Sequence, residues 1–369
     1  MRIQRLLIEN VRNLTDVSIE DFAQVNLFKG LNASGKTAFL EALSLLSVGR
    51  SFRTRNVSQV ITHKQDHLSV YADCQMDNME SNQIGILRSR SGQYRIRFNG
   101  ETVKSLATLS YSLPSLLFAH ASLQLLEEPA SSRLKFLDWG VFHVEHSFLS
   151  LWQTHNKHLE YRNQLLKSRK PSNEFSDINQ KLCHTDCEIE RLRYKYLSEV
   201  IALFKQLSAS CNFTLGNALD FYYKDGFNQG KYEIGTSVMQ LENNDVIAQF
   251  ASAFERESKR GYSLYHAGKS DIEIHYQSLG LAKHILSKGE MKTVCFFLKM
   301  AQAIYLDKTV GIKPILLIDD LGAELDSNYF EVLINLLFEY EFQCFITMTD
   351  NLDIARLSEK NGNIKMFHV

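Results

Sequence analysis

Eight consecutive residues combine glycine, lysine and threonine at the spacing that binds a phosphate. They read G-x-x-x-x-G-K-T and are Gly30, Leu31, Asn32, Ala33, Ser34, Gly35, Lys36 and Thr37. In such a loop the backbone N–H groups converge on a nucleotide phosphate, the lysine reaches the β- and γ-phosphate oxygens, and the threonine hydroxyl binds Mg²⁺. We therefore predict an ATP site in which Lys36 is catalytic and Thr37 is a metal ligand.

The residues on either side of this loop have the pattern that the motif requires. Residues 25–28 form a largely apolar run that predicts a strand. Residues 38–46 contain no Gly or Pro and predict a helix. An ordinary glycine-containing turn is the alternative, and the strand–loop–helix order argues against it.

A second part of the site is predicted near the other end of the chain. The apolar run 314–318 leads into Asp319 and Asp320. Because ligands of open α/β sheets gather beyond the carboxyl ends of buried strands, we expect Asp319 to hold Mg²⁺. Asp320 is then the catalytic carboxylate that orients or deprotonates the attacking water. A loop cap made by two exposed aspartates is the alternative.

A capping box precedes that strand. Ser287 and Glu290 give the pattern S-x-x-E, which predicts a helix start whose free N–H groups and dipole can receive an anion. The apolar positions that follow predict the buried stripe of this helix, namely Met291, Val294, Cys295, Leu298 and Ala301. A helix start without any ligand is the alternative.

One more strand is predicted over residues 344–350. Its hydroxyls at Thr347 and Thr349 lie where a strand end would meet the γ-phosphate. β-Branched residues are equally common in strands that bind nothing, so both interpretations stay open.

The charge balance excludes a general attraction to polyanions. Lys and Arg number 41 and Asp and Glu 42, which gives a net charge of −1. Two segments are locally basic, residues 42–65 and 88–104, and their cations are Arg50, Arg53, Arg55, Lys64, Arg88, Arg90, Arg95, Arg97 and Lys104. The run that includes Arg95 and Arg97 leads into Asn-Gly, a hairpin signal that predicts both arginines on one face of an edge strand. A solvated sheet face is the alternative to DNA binding.

The composition predicts a cytoplasmic protein. At 369 residues and 44% hydrophobic content the chain can bury the cores of two or three folding units. No run approaches the ~20 apolar residues of a membrane span, and Arg2, Arg5 and Glu9 interrupt any signal-like core. Six scattered cysteines predict buried thiols, and no second Cys or His pair supports a metal site at 183–187.

Two stretches in the middle of the chain predict an antiparallel helical hairpin. The first has steps of three and four at Leu149, Trp152, Asn156, Leu159, Asn163 and Leu166. The second repeats that spacing at Leu182, Thr185, Ile189, Leu192 and Tyr196. Each arm of about 18 residues would be only ~27 Å long. The sequence between the two helices contains no C-x-x-C motif. An accessory helical domain is the alternative to a coiled-coil arm.

Taken together, these motifs resemble an ABC-type ATPase head of the kind found in SMC and Rad50 proteins, and most of all the RecF family. The resemblance covers nearly the whole chain in order and spacing. It is carried by residues 8–14 (IENVRNL), 30–37, 49–54 (GRSFRT), 129–138 (PASSRLKFLD), 161–167 (YRNQLLK), 286–290 (LSKGE), 315–320 (ILLIDD) and 324–326 (ELD).

The resemblance implies an α/β fold with three parts. These are an N-terminal lobe of the ATPase head (1–125), an inserted helical domain with a short antiparallel hairpin (126–260) and a C-terminal lobe (261–369). The two lobes together would form an ABC/SMC-type P-loop head, which agrees with the long separation of Lys36 from Asp319.

The resemblance also implies a function. RecF proteins are ATP-dependent DNA-binding recombination mediators that act at gapped DNA, with RecO and RecR as partners. Their heads form a homodimer around two ATP molecules, so Ser287 and Gly289 of one copy would face the triphosphate held by Lys36 of the other. Arg12 would lie near the phosphates. Weak, DNA-dependent ATP hydrolysis would reopen the dimer.

The chain departs from the family pattern in three places. Ala33 stands where the loop usually has Gly, which matters if that position needs a positive φ. Leu134 replaces a second arginine after Arg133, and residues 266–271 (HAGKSD) replace a G-P-H-R-D-D run. These changes bear on DNA contacts and on their coupling to the nucleotide.

Two other functions fit part of the pattern. An ATPase that regulates a nuclease would need a further acidic metal site, and beyond Asp319 and Asp320 we find no such cluster. A structural clamp that hydrolyses almost no ATP is a closer alternative, because Asp320 stands where related heads often have Glu.

Overall fold

A computed structural model of the chain describes residues 2–31, 33–75, 81–119, 125–320, 327–348 and 363–369. The strands are β1 (Arg2–Val11), β2 (Leu14–Glu20), β3 (Val25–Lys29), β4 (His67–Gln75), β5 (Ser81–Ser89), β6 (Tyr94–Phe98), β7 (Glu101–Val103), β8 (Ser115–Phe118), β9 (Leu219–Lys224), β10 (Lys231–Glu233), β11 (Asp271–Tyr276), β12 (Ile315–Ile318), β13 (Cys344–Met348) and β14 (Ile364–His368). The α-helices are α1 (Lys36–Val48), α2 (Leu106–Ser112), α3 (Ala130–Val144), α4 (Phe148–Lys167), α5 (Ser176–Ser210), α6 (Thr214–Asn217), α7 (Asn243–Arg260), α8 (Lys288–Val310) and α9 (Ser327–Glu339).

The chain divides into two compact units. The first unit comprises residues 1–123 and 306–369, and the second unit comprises residues 124–305. The second unit extends past residue 260 because β11 pairs with β9 in one sheet. The three-part division drawn from the sequence stays a prediction.

A five-stranded parallel sheet forms the centre of the first unit. Its strand order is β14-β3-β13-β12-β8, and all four pairings are parallel. Every residue of β12 and β13 is buried, as expected for apolar runs covered on both faces of a parallel sheet. The order places β3, β13 and β12 side by side. The carboxyl ends of the three predicted strands therefore meet at one edge.

A six-stranded antiparallel sheet completes the first unit, in the order β2-β1-β4-β5-β6-β7. Its inner residues form one hydrophobic core with α1. The predicted hairpin is present, with Asn99 and Gly100 at φ 50° and 84°. Arg95 and Arg97 do share a face of β6, but β6 is not the edge strand, because the three residues of β7 pair with it from outside.

The second unit contains a three-stranded sheet, β10-β9-β11, and the predicted helical hairpin. Helices α4 and α5 run antiparallel, since Arg162 bonds Asn179 while His155 meets Asp186. The α5 arm is longer than expected, at 35 residues. Among the described residues, no helix is both long and apolar enough to cross a membrane.

The predicted seam of α4 is wrong at Asn156, whereas the predicted Asn163 is half-buried and accepts two hydrogen bonds from Ser263. Asn156 is exposed, whereas the neighbouring His155 is buried. Arg162, next to the predicted Asn163, is also buried, because Asn179, Ser263 and Glu257 bind its guanidinium at 2.6–2.8 Å. Polar partners therefore fill seam positions that the apolar pattern could not reveal.

Candidate nucleotide site

The phosphate-binding loop joins β3 to α1 in the first unit. The Lys36 Nζ donates to the carbonyl oxygens of Gly30 at 2.6 Å and Leu31 at 2.7 Å. Helix α1 begins after Gly35 with no side-chain cap and no acidic residue in its first turn. Its first N–H groups and the positive end of its dipole are therefore available to an anion.

Two of the described residues of the loop have a left-handed backbone. Gly35 has φ 119° and Ala33 has φ 68°. The alanine therefore adopts the conformation that glycine adopts freely, at a cost of about 1–2 kcal/mol for an L-residue. Gly30 is needed for a different reason, since a Cβ there would lie 2.2 Å from the carbonyl oxygen of Val369.

The acidic end of β12 lies beside the threonine of the loop. The Thr37 hydroxyl donates to Asp319 Oδ1 at 3.0 Å. The Thr347 hydroxyl, on neighbouring β13, donates to the same oxygen at 2.7 Å and accepts the Asp320 N–H at 2.8 Å. The structure thus brings Thr37, Asp319 and Asp320 together. Thr347, which the sequence left between a phosphate contact and a plain strand residue, is only 1% exposed and bonds the two aspartates.

A phosphate chain and a divalent cation fit these residues. The Ser34 hydroxyl oxygen is buried and has no hydrogen-bond partner among the described residues, so it can bond a ligand oxygen. Thr37 and Asp319 offer hard oxygen donors side by side, the ligand type that Mg²⁺ prefers. When bound, the metal would neutralise phosphate charge. Lys36 would supply a further positive charge from the loop.

Arg12 is held by α1. Its Nε and Nη2 donate to the two carboxylate oxygens of Glu41, each at 2.8 Å, and the bond to Glu41 raises the pKa of Arg12. The adjacent Asn13 reaches the loop, where its Nδ2 donates to the Ser34 carbonyl at 3.2 Å. The proximity of Arg12 to the phosphates stays a prediction. Sequence reasoning missed Glu41 and Asn13.

The capping box at the start of α8 is confirmed. Glu290 accepts the N–H and the hydroxyl of Ser287 at 2.8 and 2.7 Å, and its own N–H donates to the Ser287 oxygen at 3.3 Å. All five residues of the predicted stripe are buried. Ser287 and Gly289 are exposed, and a Cβ on Gly289 would meet nothing within 4 Å. This helix start lies in the second unit and presents an open surface.

The basic segments separate into two kinds of residue. The Arg90 guanidinium donates to the carbonyls of Gln65, Ser58 and Thr62, and Arg88 donates to the Gly49 carbonyl, so both hold the fold together. The exposed arginines of these segments whose guanidinium makes neither an ion pair nor a hydrogen bond to any described residue are Arg50, Arg53, Arg55, Arg95 and Arg97. These five remain as candidate contacts to a polyanion.

The other departures from the family pattern lie in the second unit. Leu134 is buried in α3. Arg133 binds both carboxylate oxygens of Asp271, at 2.7 and 3.0 Å. Three predicted features, Asn32, residues 321–326 and Thr349, lie outside the described residues.

The fold and the site together define an ABC-type ATPase head. The family model for the RecF/RecN/SMC N-terminal domain matches residues 2–368. The Smc head bound to the C-terminal winged-helix domain of ScpA shares this fold, with a TM-score of 0.51 at 13% identity over 96% of this chain and 90% of that one.

Relatives that match over the full length assign the chain to one family within this class. The chain is 33% identical to the DNA replication and repair protein RecF of Cellvibrio japonicus over 373 residues, covering 100% of this chain and 98% of the relative. It is also 33% identical to the protein of that name from Hahella chejuensis, over 100% and 97%. A solved structure of the recombination mediator protein RecF with ATP matches with a TM-score of 0.84 and 25% identity, over 95% and 93%. The chain belongs to the RecF family.

Proposed function

We propose that the protein is an ATP-dependent DNA-binding recombination mediator that acts in DNA repair and replication restart. The observation that carries the proposal is the convergence of Thr37, Asp319 and Thr347 at the end of a cap-free phosphate loop. The relatives support the proposal by their names, which are those of a DNA replication and repair protein and of a recombination mediator with ATP. A cytoplasmic, nucleoid-associated location follows from this role.

In this proposal the loop binds the triphosphate and the acidic strand end directs hydrolysis. Lys36 holds the β- and γ-phosphate oxygens, while Thr37 and Asp319 hold Mg²⁺. Asp320 orients the attacking water. Its backbone is fixed there by the Thr347 hydroxyl. Hydrolysis is weak and is stimulated by DNA.

ATP closes a homodimer in this proposal. The exposed start of α8 supplies Ser287 and Gly289 of one copy to the triphosphate held by Lys36 of the other. The openness around Gly289 supports this, because a phosphate can approach the backbone closely there.

The DNA partner is a duplex next to a gap or junction, with RecO and RecR as further partners. Five exposed arginines of the two basic segments are the candidate phosphate contacts, namely Arg50, Arg53, Arg55, Arg95 and Arg97. Their charge makes affinity fall with salt, since each neutralised phosphate releases counterions.

Lys36→Arg tests the proposal. The larger guanidinium cannot take the place of the lysine between the phosphate oxygens, so we expect at least a tenfold loss of ATP-dependent affinity for gapped duplex DNA, measured by fluorescence anisotropy with ATP and Mg²⁺. Light scattering should show the same loss of dimer. Lys308→Arg, at an exposed lysine of α8, is the matched control. Unchanged ATP-dependent dimerisation of Lys36→Arg would refute the proposal.

Ser287→Arg separates the dimer from the loop. The variant should bind ATP like the wild type but fail to pair, because its bulk obstructs only the neighbouring copy. Loss of ATP binding by its monomer would contradict the arrangement.

A structural clamp that binds ATP without turning it over remains a second candidate, because Asp320 is one methylene shorter than Glu. Steady-state ATPase assays with and without DNA distinguish the two. Turnover that DNA stimulates supports the mediator, and binding without turnover supports the clamp.

A further inference from the structure

We propose that Glu41 is a positioning residue that couples the phosphate loop to the basic loop 50–66, so that bound nucleotide sets the affinity of that loop for DNA. The inference rests on the proposed function and names a regulatory connection within it. It follows from a chain of contacts within the first unit that links Ser34 to Arg53.

Glu41 lies one turn beyond the phosphate loop on α1, and its side chain is 0% exposed. It accepts both hydrogen bonds of a bidentate Arg12 and a third from the Ser51 hydroxyl. A buried carboxylate is tolerated only with such partners, because taking a charge out of water costs several kcal/mol. Glu41 therefore fixes Arg12 and Ser51 relative to α1.

Arg12 extends this connection to the far end of the basic loop. Its own N–H donates to the Val60 carbonyl at 2.7 Å, and its carbonyl accepts the Thr62 hydroxyl at 2.7 Å. Its third guanidinium nitrogen donates to the Gln59 carbonyl. The left-handed backbone of Arg12, at φ 58°, turns the chain so that Asn13 contacts Ser34 in the phosphate loop.

Ser51 forms the near end. While its hydroxyl donates to Glu41, its oxygen accepts the N–H groups of Arg53 at 3.0 Å and Thr54 at 3.2 Å. This turn carries the exposed side chains of Arg53 and Arg55. Glu41 thus orders a turn whose cations are free of ion pairs to any described residue.

The basic loop has a second attachment that does not involve Glu41. Arg90 binds the carbonyls of Ser58 and Thr62 at 3.1 and 2.8 Å and also that of Gln65. A variant that loses the Glu41 contacts therefore keeps the loop attached to Arg90, which directly follows β5. Uncoupling without unfolding is the expected result.

We define the coupling ratio as the affinity for DNA with ATP divided by the affinity for DNA without ATP. Thermodynamic linkage makes this ratio reciprocal. If ATP raises the affinity for a 30-base-pair duplex by some factor, the duplex raises the affinity for ATP by the same factor. A role in folding alone would lower both affinities without changing the ratio. The ratio is therefore the diagnostic quantity.

The experiment measures both affinities by anisotropy, for the wild type, Glu41→Gln and the control Glu20→Gln, an exposed glutamate of β2. We expect Glu41→Gln to bind ATP within twofold of the wild type while the ratio falls at least fivefold. Ser51→Ala removes the hydrogen bond from Ser51 to Glu41 and leaves the ion pair between Arg12 and Glu41 intact. This variant should therefore lower the coupling ratio even if Glu41→Gln fails to fold.

Each result decides the matter. Wild-type ratios in both variants would overturn the inference, as would equal losses of both affinities with the ratio kept. A wild type whose DNA affinity ignores ATP would instead refute the proposed function.

Discussion

Replacing the hydroxyl of Thr347 tests how the acidic strand end is held. Valine keeps the shape and the β-branch, so Thr347→Val removes the donor to Asp319 and the acceptor for the Asp320 N–H. The site is only 1% exposed, so water cannot replace these bonds. A hydrogen bond to a charged group is worth about 1.5–3 kcal/mol and a neutral one about 1. We expect a loss of about 3 kcal/mol in the free energy of unfolding.

Two measurements check this value. Urea titration gives the free energy of unfolding of the transition that includes the parallel sheet. Hydrogen exchange of the peptide 315–320 should show that the Asp320 amide loses its protection. Mg²⁺-dependent ATP affinity should also fall, because Asp319 then keeps only the Thr37 hydroxyl among the two that orient it.

Thr347→Ser is the matched control. It keeps the hydroxyl and loses one methyl group, at a cost of about 1 kcal/mol. The valine variant must therefore be the less stable of the two. If serine proves more damaging than valine, packing of the methyl group and not the hydrogen bonds holds this position, and the reasoning fails.

Two further predictions concern single residues. Ala33→Gly should stabilise the protein by about 0.5–1 kcal/mol in urea titrations, because relief of the left-handed alanine exceeds the added flexibility of the unfolded chain; Ala33→Val should destabilise it, and the reverse order would contradict the strain. Burial lowers the pKa of His143 to about 4 from 6.5. Between these two pH values the histidine is protonated in the unfolded chain but neutral in the folded protein. Stability that is fully present above pH 6.5 is lost as the pH falls toward 4. His143→Gln should reduce the slope of stability against pH by about 1.4 kcal/mol per pH unit, and an unchanged slope would show that His143 does not titrate as described.

Local motifs were readable from the sequence because their physics is local. The phosphate loop, the capping box of Ser287 and the strand before Asp319 each depend on neighbouring residues. The partners of Asp319 required the strand order, since Thr347 reaches it only because β13 lies beside β12. In the sequence Glu41 is only a single acidic residue on a largely apolar helix, and its role depends on Arg12, which lies in the turn between β1 and β2.

The hairpin shows why a correct pattern can still misplace single residues. A rhythm of three and four identified both helices, yet it assigned Asn156 to the seam. His155 and Arg162 are polar types that an apolar pattern passes over, and their partners come from α5 and α7. Only the packed structure shows that Asp186 lies 2.7 Å from the His155 ring and that three hydrogen bonds hold the Arg162 guanidinium inside.

The order of the parallel sheet has a consequence for biosynthesis. Within the part of the chain that the structure describes, strand β3, which leads into the phosphate loop, pairs with β13 and β14 alone, more than 300 residues later in the chain. At the ribosomal speed of 5–20 residues per second, this first strand waits roughly 15–60 s for its neighbours. Because residues 124–305 form their own unit, they emerge and can fold during that interval. The parallel sheet that carries the nucleotide site is therefore completed last during synthesis. Until then the apolar strand β3 stays unpaired, and we expect chaperones to bind the nascent chain in this region.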